Sequence, residues 1–282
     1  MIMSLDSKNI EKFARLAYEL YLKEIDATLN VTAKSHLQII KEYKLHTLVA
    51  EAGIYIFAIE TNDEIVISCR GTMADESILH DFDPNGPGHI GMLAVKDMLL
   101  RKIDKLLSDK SLILCGHSLG GSFAQTIACF IIEEINNKDL TNIGNLEKLP
   151  IYIYQSPGIS DLLKGKTESV IESASKLPEI SLNVYIDTND RISPFYNLIF
   201  SHFKNTHLSK KLSIISDPSG SSDPRSAHTR TFFDAKNQVE YDDSNPDYTR
   251  AFDFFLAARN ILPHQVKRIT DFAASSLSTT KR

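Results

Sequence analysis

Apolar and polar positions follow two different periods along this chain, and the places where the period changes mark its elements. Over residues 8–24, Ile10, Phe13, Ala14, Leu16, Ala17, Leu20 and Tyr21 form one stripe, which predicts a helix. Leu48–Glu60 and Glu64–Arg70 read as two strands joined at Thr61-Asn62-Asp63, a hairpin pattern. Gly91–Leu107 returns to helical spacing. A short apolar run, Leu112–Cys115, then leads into a second helical pattern over Ser118–Asn136. Asn137–Pro150 is a polar connection. Ile151–Tyr154 and Leu182–Ile186 are short apolar strands with a predicted helix at 163–176 between them. Residues 213–227, rich in Ser, Asp, Pro and Gly, read as loop, and Tyr248–Ile261 as an amphipathic helix before Pro263. The Ser/Thr-rich segment 275–282 reads as a frayed tail. Strands alternating with helices after residue 110 predict an α/β fold, a mostly parallel central sheet with helices on both faces. No Pro/Gly/Ser linker divides the chain, so residues 1–282 read as a single domain.

Composition narrows the function classes. The 282 residues are 43% hydrophobic, enough for one large core, and the net charge of −5 with no basic cluster argues against nucleic acid as a partner. Three cysteines, Cys69, Cys115 and Cys129, lie in apolar surroundings without regular spacing, which suggests buried free thiols and a reducing compartment. The first residues lack a long apolar stretch and a small-residue cleavage site, and the greasiest run, around Phe123–Ile132, is too short to span a bilayer. The expectation is a soluble protein, cytoplasmic or exported without a cleaved signal peptide.

The chemistry concentrates at residues 111–125, where an apolar strand runs into Gly116-His117-Ser118-Leu119-Gly120 and then a helix. G-x-S-x-G in that context is the nucleophile elbow. A serine hydroxyl is a weak nucleophile until it is lifted clear of its neighbours and handed to a base. Ser118 on a tight strand-to-helix turn meets the first condition, and the helix N-terminus below it adds partial positive charge where an oxyanion would form.

The base and its orienting acid are expected later in the chain, in the order serine, acid, histidine. Asn183–Pro194 reads as a strand ending in acidic residues and a proline turn. Asp190, beyond the strand, is the better placed acid, and Asp187, at the strand edge, is its rival. Three histidines follow: His207, His228 and His264. His207 lies in a Lys-rich stretch, and His264 follows Pro263 at a helix end. His228 sits where a long loop meets Thr-Arg-Thr-Phe-Phe and is the preferred base, with His207 as its main competitor. For the oxyanion, Arg70-Gly71-Thr72 closes an earlier strand, so Thr72 and the Leu119 N–H are the expected donors. The nine histidines show neither HExxH nor Cys/His ligand spacing, and no metal or cofactor is expected.

These segments together resemble one family. Ile67–Thr72, Ser77–Phe82, Gly88–Met92 and Gly116–Gly121, followed by Tyr154-Gln-Ser-Pro157-Gly158, Thr188–Pro194 and His228 four residues before Phe232, resemble the class 3 lipases, fungal-type triacylglycerol lipases and their relatives. The resemblance implies an α/β-hydrolase fold and hydrolysis of lipids or lipid-like acyl esters. It carries Ser118, Asp190 and His228 over as triad, and Thr72 with Leu119 as oxyanion hole. It also implies a lid after Thr72 with Ile78, Leu79 and Phe82 as its apolar face, and transient contact with a membrane surface.

The chain departs from that pattern between Phe82 and His89, where only Asp-Pro-Asn-Gly-Pro-Gly intervenes. A lid so short covers little apolar surface, which argues against strong interfacial activation. Asp75, Glu76, Asp81 and Asp83 read as an acidic lid region ill matched to anionic head groups, and Met73 as a residue narrowing the acyl entrance. Two other readings share the same residues. One is thioester, amide or acyl-transfer chemistry on the same triad; the other is a catalytically silent lipase-fold interaction module.

Overall fold

The computed structural model describes residues 44–72, 80–81, 83, 85–137, 139–154, 156, 158–174, 176–187, 209–215 and 238–240. The predicted helices at 8–24 and 248–261 and the 275–282 tail lie outside the described residues. Among the described residues eight strands form one sheet in simple sequence order. The first three make an antiparallel meander: β1 (Lys44–Glu51), β2 (Ile54–Glu60) and β3 (Glu64–Cys69). The span Leu48–Glu60, expected as one strand, is two. It folds back at Ala52-Gly53, where both residues have positive φ (52° and 78°) and Glu51 pairs with Ile54. Two left-handed residues in a row match the twist of a two-residue hairpin. Alanine is an unusual choice for the first, which is why sequence pattern alone passed over the turn.

From β3 onward the sheet is parallel. β4 (Ser111–His117), β5 (Lys148–Tyr154), β6 (Glu179–Asp187) and β7 (Ser209–Ile215) each pair in parallel with the strand before, and β8 (Gln238–Glu240) returns antiparallel at the far edge. β5 and β6 extend beyond their apolar runs because pairing continues in register from Lys148 opposite Glu179 to Tyr154 opposite Tyr185. The Ser213–Ile215 end of the expected loop belongs to β7.

The helices fill the crossovers: α1 (His89–Leu107), α2 (Leu119–Glu133), the single turn α3 (Thr141–Gly144) and α4 (Asp161–Ser173). Right-handed crossovers stepping one way across a sheet lay their helices on one face. Accordingly α1 packs on α2 and α2 on α4. α2 lies between these neighbours and the sheet, and every residue from Leu119 to Ile132 is buried. Under it Ile65, Ile67, Leu112, Leu114, Ile151, Ile153, Leu182 and Val184 form one apolar cluster with Leu99, Ile103, Phe123 and Ile127. The opposite face of the strands is closed as well, with Phe57, Val66, Ile113 and Cys115 buried. Burial on both faces is what parallel strands require. Among the described residues no helix is long and apolar enough to cross a membrane.

Cys69, Cys115 and Cys129 are free and buried. Burial pushes all three thiols up, Cys115 to about 12. Charged groups bind the periphery. Lys96 of α1 reaches Glu133 (3.0 Å) and Glu134 (2.9 Å), and Lys166 of α4 reaches Glu133 (2.9 Å), so three helices share one carboxylate. At the start of the sheet Glu60 meets Lys110 and His46, each at 2.7 Å, and Lys44 at 3.5 Å.

Hydrogen bonds from Lys110 and His46 hold the Glu60 carboxyl at about 2, below its ordinary 4.5. A carboxyl depressed in the folded state stabilises the protein above its unfolded value and loses that contribution as pH falls toward its folded value. Urea unfolding midpoints of the wild type should therefore decline more steeply between pH 4.5 and pH 2 than those of Glu60→Gln. Parallel curves would show that the cluster contributes nothing.

Candidate active site

Ser118 is the single residue between β4 and α2, and its backbone is folded to φ 54° and ψ −130°. A residue with a Cβ rarely adopts this conformation, and it persists only where its surroundings enforce it. Two backbone bonds do so here: the Ser118 N–H donates to the Tyr154 carbonyl (2.9 Å), and the Gly121 N–H donates to the Ser118 carbonyl (2.9 Å). The glycines permit the geometry. A Cβ on Gly116 would strike the Gly120 carbonyl, and one on Gly120 would strike the Cys69 carbonyl, so β4, α2 and the end of β3 touch backbone to backbone. The sequence motif thus encodes a steric fit as much as a nucleophile.

Sheet register brings the β3 exit over this turn. Cys69 pairs with Gly116, so Arg70 and Gly71 run alongside His117 and Ser118. A Cβ on Gly71 would lie 3.2 Å from the Ser118 Cβ and 2.8 Å from the His117 carbonyl. Arg70 is buried, with its guanidinium 4.3 Å above the Tyr55 ring. Thr72, half-buried, follows directly, and its hydroxyl donates to Asp81 Oδ2 at 2.8 Å. Leu119 opens α2, so its N–H points out of the helix with no intrahelical acceptor. Of the five expected site residues, Ser118 and Leu119 are consecutive at the turn, and Thr72 follows Gly71, which lies against Ser118. The other two, Asp190 and His228, lie outside the described residues, as do His207 and His264. Asp187 is the last residue of β6.

The segment behind Thr72, expected as an acidic lid region, falls only partly within the described residues. Ile78, Leu79, Phe82, Met73, Asp75 and Glu76 lie outside the described residues, but His80, Asp81 and Asp83 turn inward. His80 is buried, with Nε2 2.6 Å from the Ala52 carbonyl. Asp83, only 2% exposed, accepts from the Asn85 N–H (3.0 Å) and the Ile90 N–H (2.6 Å). Burial pushes its carboxyl up while those two amides oppose the shift. Beside it His89 is pushed down by burial, and the nearby Asp83 and Glu133 charges act the other way. Asp81 and Asp83 are thus structural carboxylates. Their loop composition concealed this, because a caged acid and a solvated one read alike in sequence. Among the described residues no group of three or more His, Cys, Asp or Glu is arranged to hold a metal ion.

No protein-family model matches the chain, and no curated protein matches it. Solved structures similar to it include lipase II from Rhizopus niveus, 14% identical over 75% of this chain and 82% of that one with a TM-score of 0.46. The Rhizomucor miehei triacylglyceride lipase is 14% identical over 77% of this chain and 83% of that one, TM-score 0.48. A lipase from Rhizopus microsporus var. chinensis is 17% identical over 68% and 70%, TM-score 0.41. All three are named as lipases. The chain's own parallel sheet, with a strained serine between strand and helix, defines an α/β-hydrolase-like fold.

Strain at Ser118 has a measurable sign. Replacing it with glycine, which accepts positive φ freely, should raise unfolding free energy by about 1 kcal/mol or more, whereas Ser118→Ala should not. Urea titration of the three proteins checks this; equal stability of the glycine and alanine variants would mean the turn is relaxed.

Proposed function

We propose that this protein is a serine hydrolase that cleaves carboxylic esters of lipids or lipid-like acyl chains through a Ser118-His228-Asp190 triad. The observation that carries the reading is the positive-φ Ser118 lodged between the Thr72 segment and the N-terminus of α2. In this reading His228 removes the hydroxyl proton as Ser118 attacks the ester carbonyl, and Asp190 holds the imidazole in the productive tautomer. The backbone N–H groups of Thr72 and Leu119 stabilise the negative charge that develops on the carbonyl oxygen, the Thr72 hydroxyl being given to Asp81. The alcohol leaves with the proton held by His228, and the same histidine then activates water against the acyl-enzyme.

Strand polarity supports the choice of partners. β4, β6 and β7 run in parallel, so their C-terminal ends share an edge with Ser118. Asp190 follows the end of β6 by three residues. Ile215 of β7 pairs with Gln238 of β8, so the connection that contains His228 is tethered at that same edge at both ends. His207 instead precedes Ser209, the first residue of β7, by two residues. Two residues reach about 7 Å at most, and that end of β7 faces away from Ser118.

The test is turnover of p-nitrophenyl esters and thioesters of short and long acyl chains, alongside labelling by a fluorophosphonate. Ser118→Ala should abolish both, and His228→Ala should lower kcat by about six orders of magnitude. His207→Ala should stay within a few-fold of wild type. Near-normal turnover in His228→Ala would overturn the base assignment, and absence of any adduct on the wild type would favour a silent binding module.

A further inference from the structure

Resting on the hydrolase reading above, we propose that Asp83 is a positioning residue for the oxyanion-binding loop. Asp81, the acceptor of the Thr72 hydroxyl, lies two residues before Asp83, and the backbone on both sides of it is anchored. On one side the His80 ring is fixed to the Ala52 carbonyl in the β1–β2 turn and packs edge-on against Phe123 of α2, centroids 6.1 Å apart. A Cβ on Gly91 would sit 2.5 Å from the His80 ring, so α1 closes on it as well. On the other side the Asp83 carboxylate ties to the first turn of α1 through the Ile90 amide and to its own loop through the Asn85 amide. Main-chain bonds complete the knot: the Gly88 and Asp83 amides both donate to the His80 carbonyl (2.8 and 3.3 Å), and the Gly86 amide donates to the Asp83 carbonyl (3.0 Å).

A side chain wholly withdrawn from water that spends both carboxylate oxygens on amides of the 83–90 segment sets where that segment can sit. Through Asp81 it sets where the Thr72 hydroxyl points. Replacing one Asp83 oxygen with an amide NH₂ leaves two donors facing each other, so the knot must shift while its volume stays the same. Thr72 would then be displaced at the point where charge develops, a misplacement that affects the transition state more than substrate binding.

The experiment is a double-mutant cycle on p-nitrophenyl butyrate, with folding followed by thermal melting. Asp83→Asn should lower kcat about tenfold with KM within twofold of wild type. In an Asp81→Ala background the same substitution should change kcat by less than twofold, because alanine offers the Thr72 hydroxyl no acceptor and the link is already cut. A kcat unchanged by Asp83→Asn, or an equal loss in both backgrounds, overturns the proposal. Should Asp83→Asn fail to fold, Asp83→Ser, which keeps an oxygen acceptor, takes its place in the cycle. A readout independent of turnover separates failure of this inference from failure of the hydrolase reading. The Thr72 amide resonance should move in Asp83→Asn and stay put in the surface control Glu51→Gln. An unmoved Thr72 resonance refutes the positioning role whether or not the wild type cleaves esters.

Discussion

Three backbones meet at Ser118 with no side chain between them, and much of the molecule is arranged to let them. The end of β3 lies against Gly120, β4 lies against the same turn through Gly116, and the β3 exit lies against Ser118 through Gly71. Contact of that kind is stable only if the elements are held rigidly from elsewhere, since a gap of even 1 Å forfeits much of the dispersion attraction. The buried faces supply the rigidity. α2 is buried around its whole circumference because it is wedged between the sheet and two other helices, and its N-terminus is therefore fixed in space. The strain stored at one residue is met by packing spread over many.

The same logic explains how the site extends beyond the serine. A parallel sheet gathers its strand ends on one edge, so segments distant in sequence reach a common point without any of them being long. The β3 exit and the α2 N-terminus meet there, and the ends of β6 and β7 lie along the same edge of the sheet. What register does not supply is the fine placement of Thr72, and here the polar residues behind it matter. Asp81 accepts from the Thr72 hydroxyl, and Asp83 accepts from two backbone amides. Such carboxylates orient a loop directionally, which an ion pair with a long, flexible lysine does poorly.

Much of this was legible in the sequence, and what was not has identifiable causes. The elbow was readable because Gly116, Ser118 and Gly120 have no other reason to recur between an apolar strand and an apolar helix. The β3, β4 and α2 elements were readable because their apolar runs are nearly unbroken. The Ala52-Gly53 turn was missed because alanine gives no signal for a positive φ. The lengths of β5 and β6 were underestimated because hydrogen-bond pairing carries strands past their hydrophobic residues. The inward orientation of His80 and Asp83 escaped notice for a deeper reason. Whether a polar residue in a loop faces water or an orphan amide depends on contacts with a turn some thirty residues earlier and a helix end seven residues later.

The three thiols, sealed in the core and driven toward their neutral form, have a use of their own. A native molecule offers an alkylating reagent no reactive sulfur, so each modification event reports that the sheet or α2 has opened. Cysteine uptake thus becomes a clock for global breathing, built into the wild-type chain at three depths: the exit of β3, the heart of β4 and the middle of the central helix.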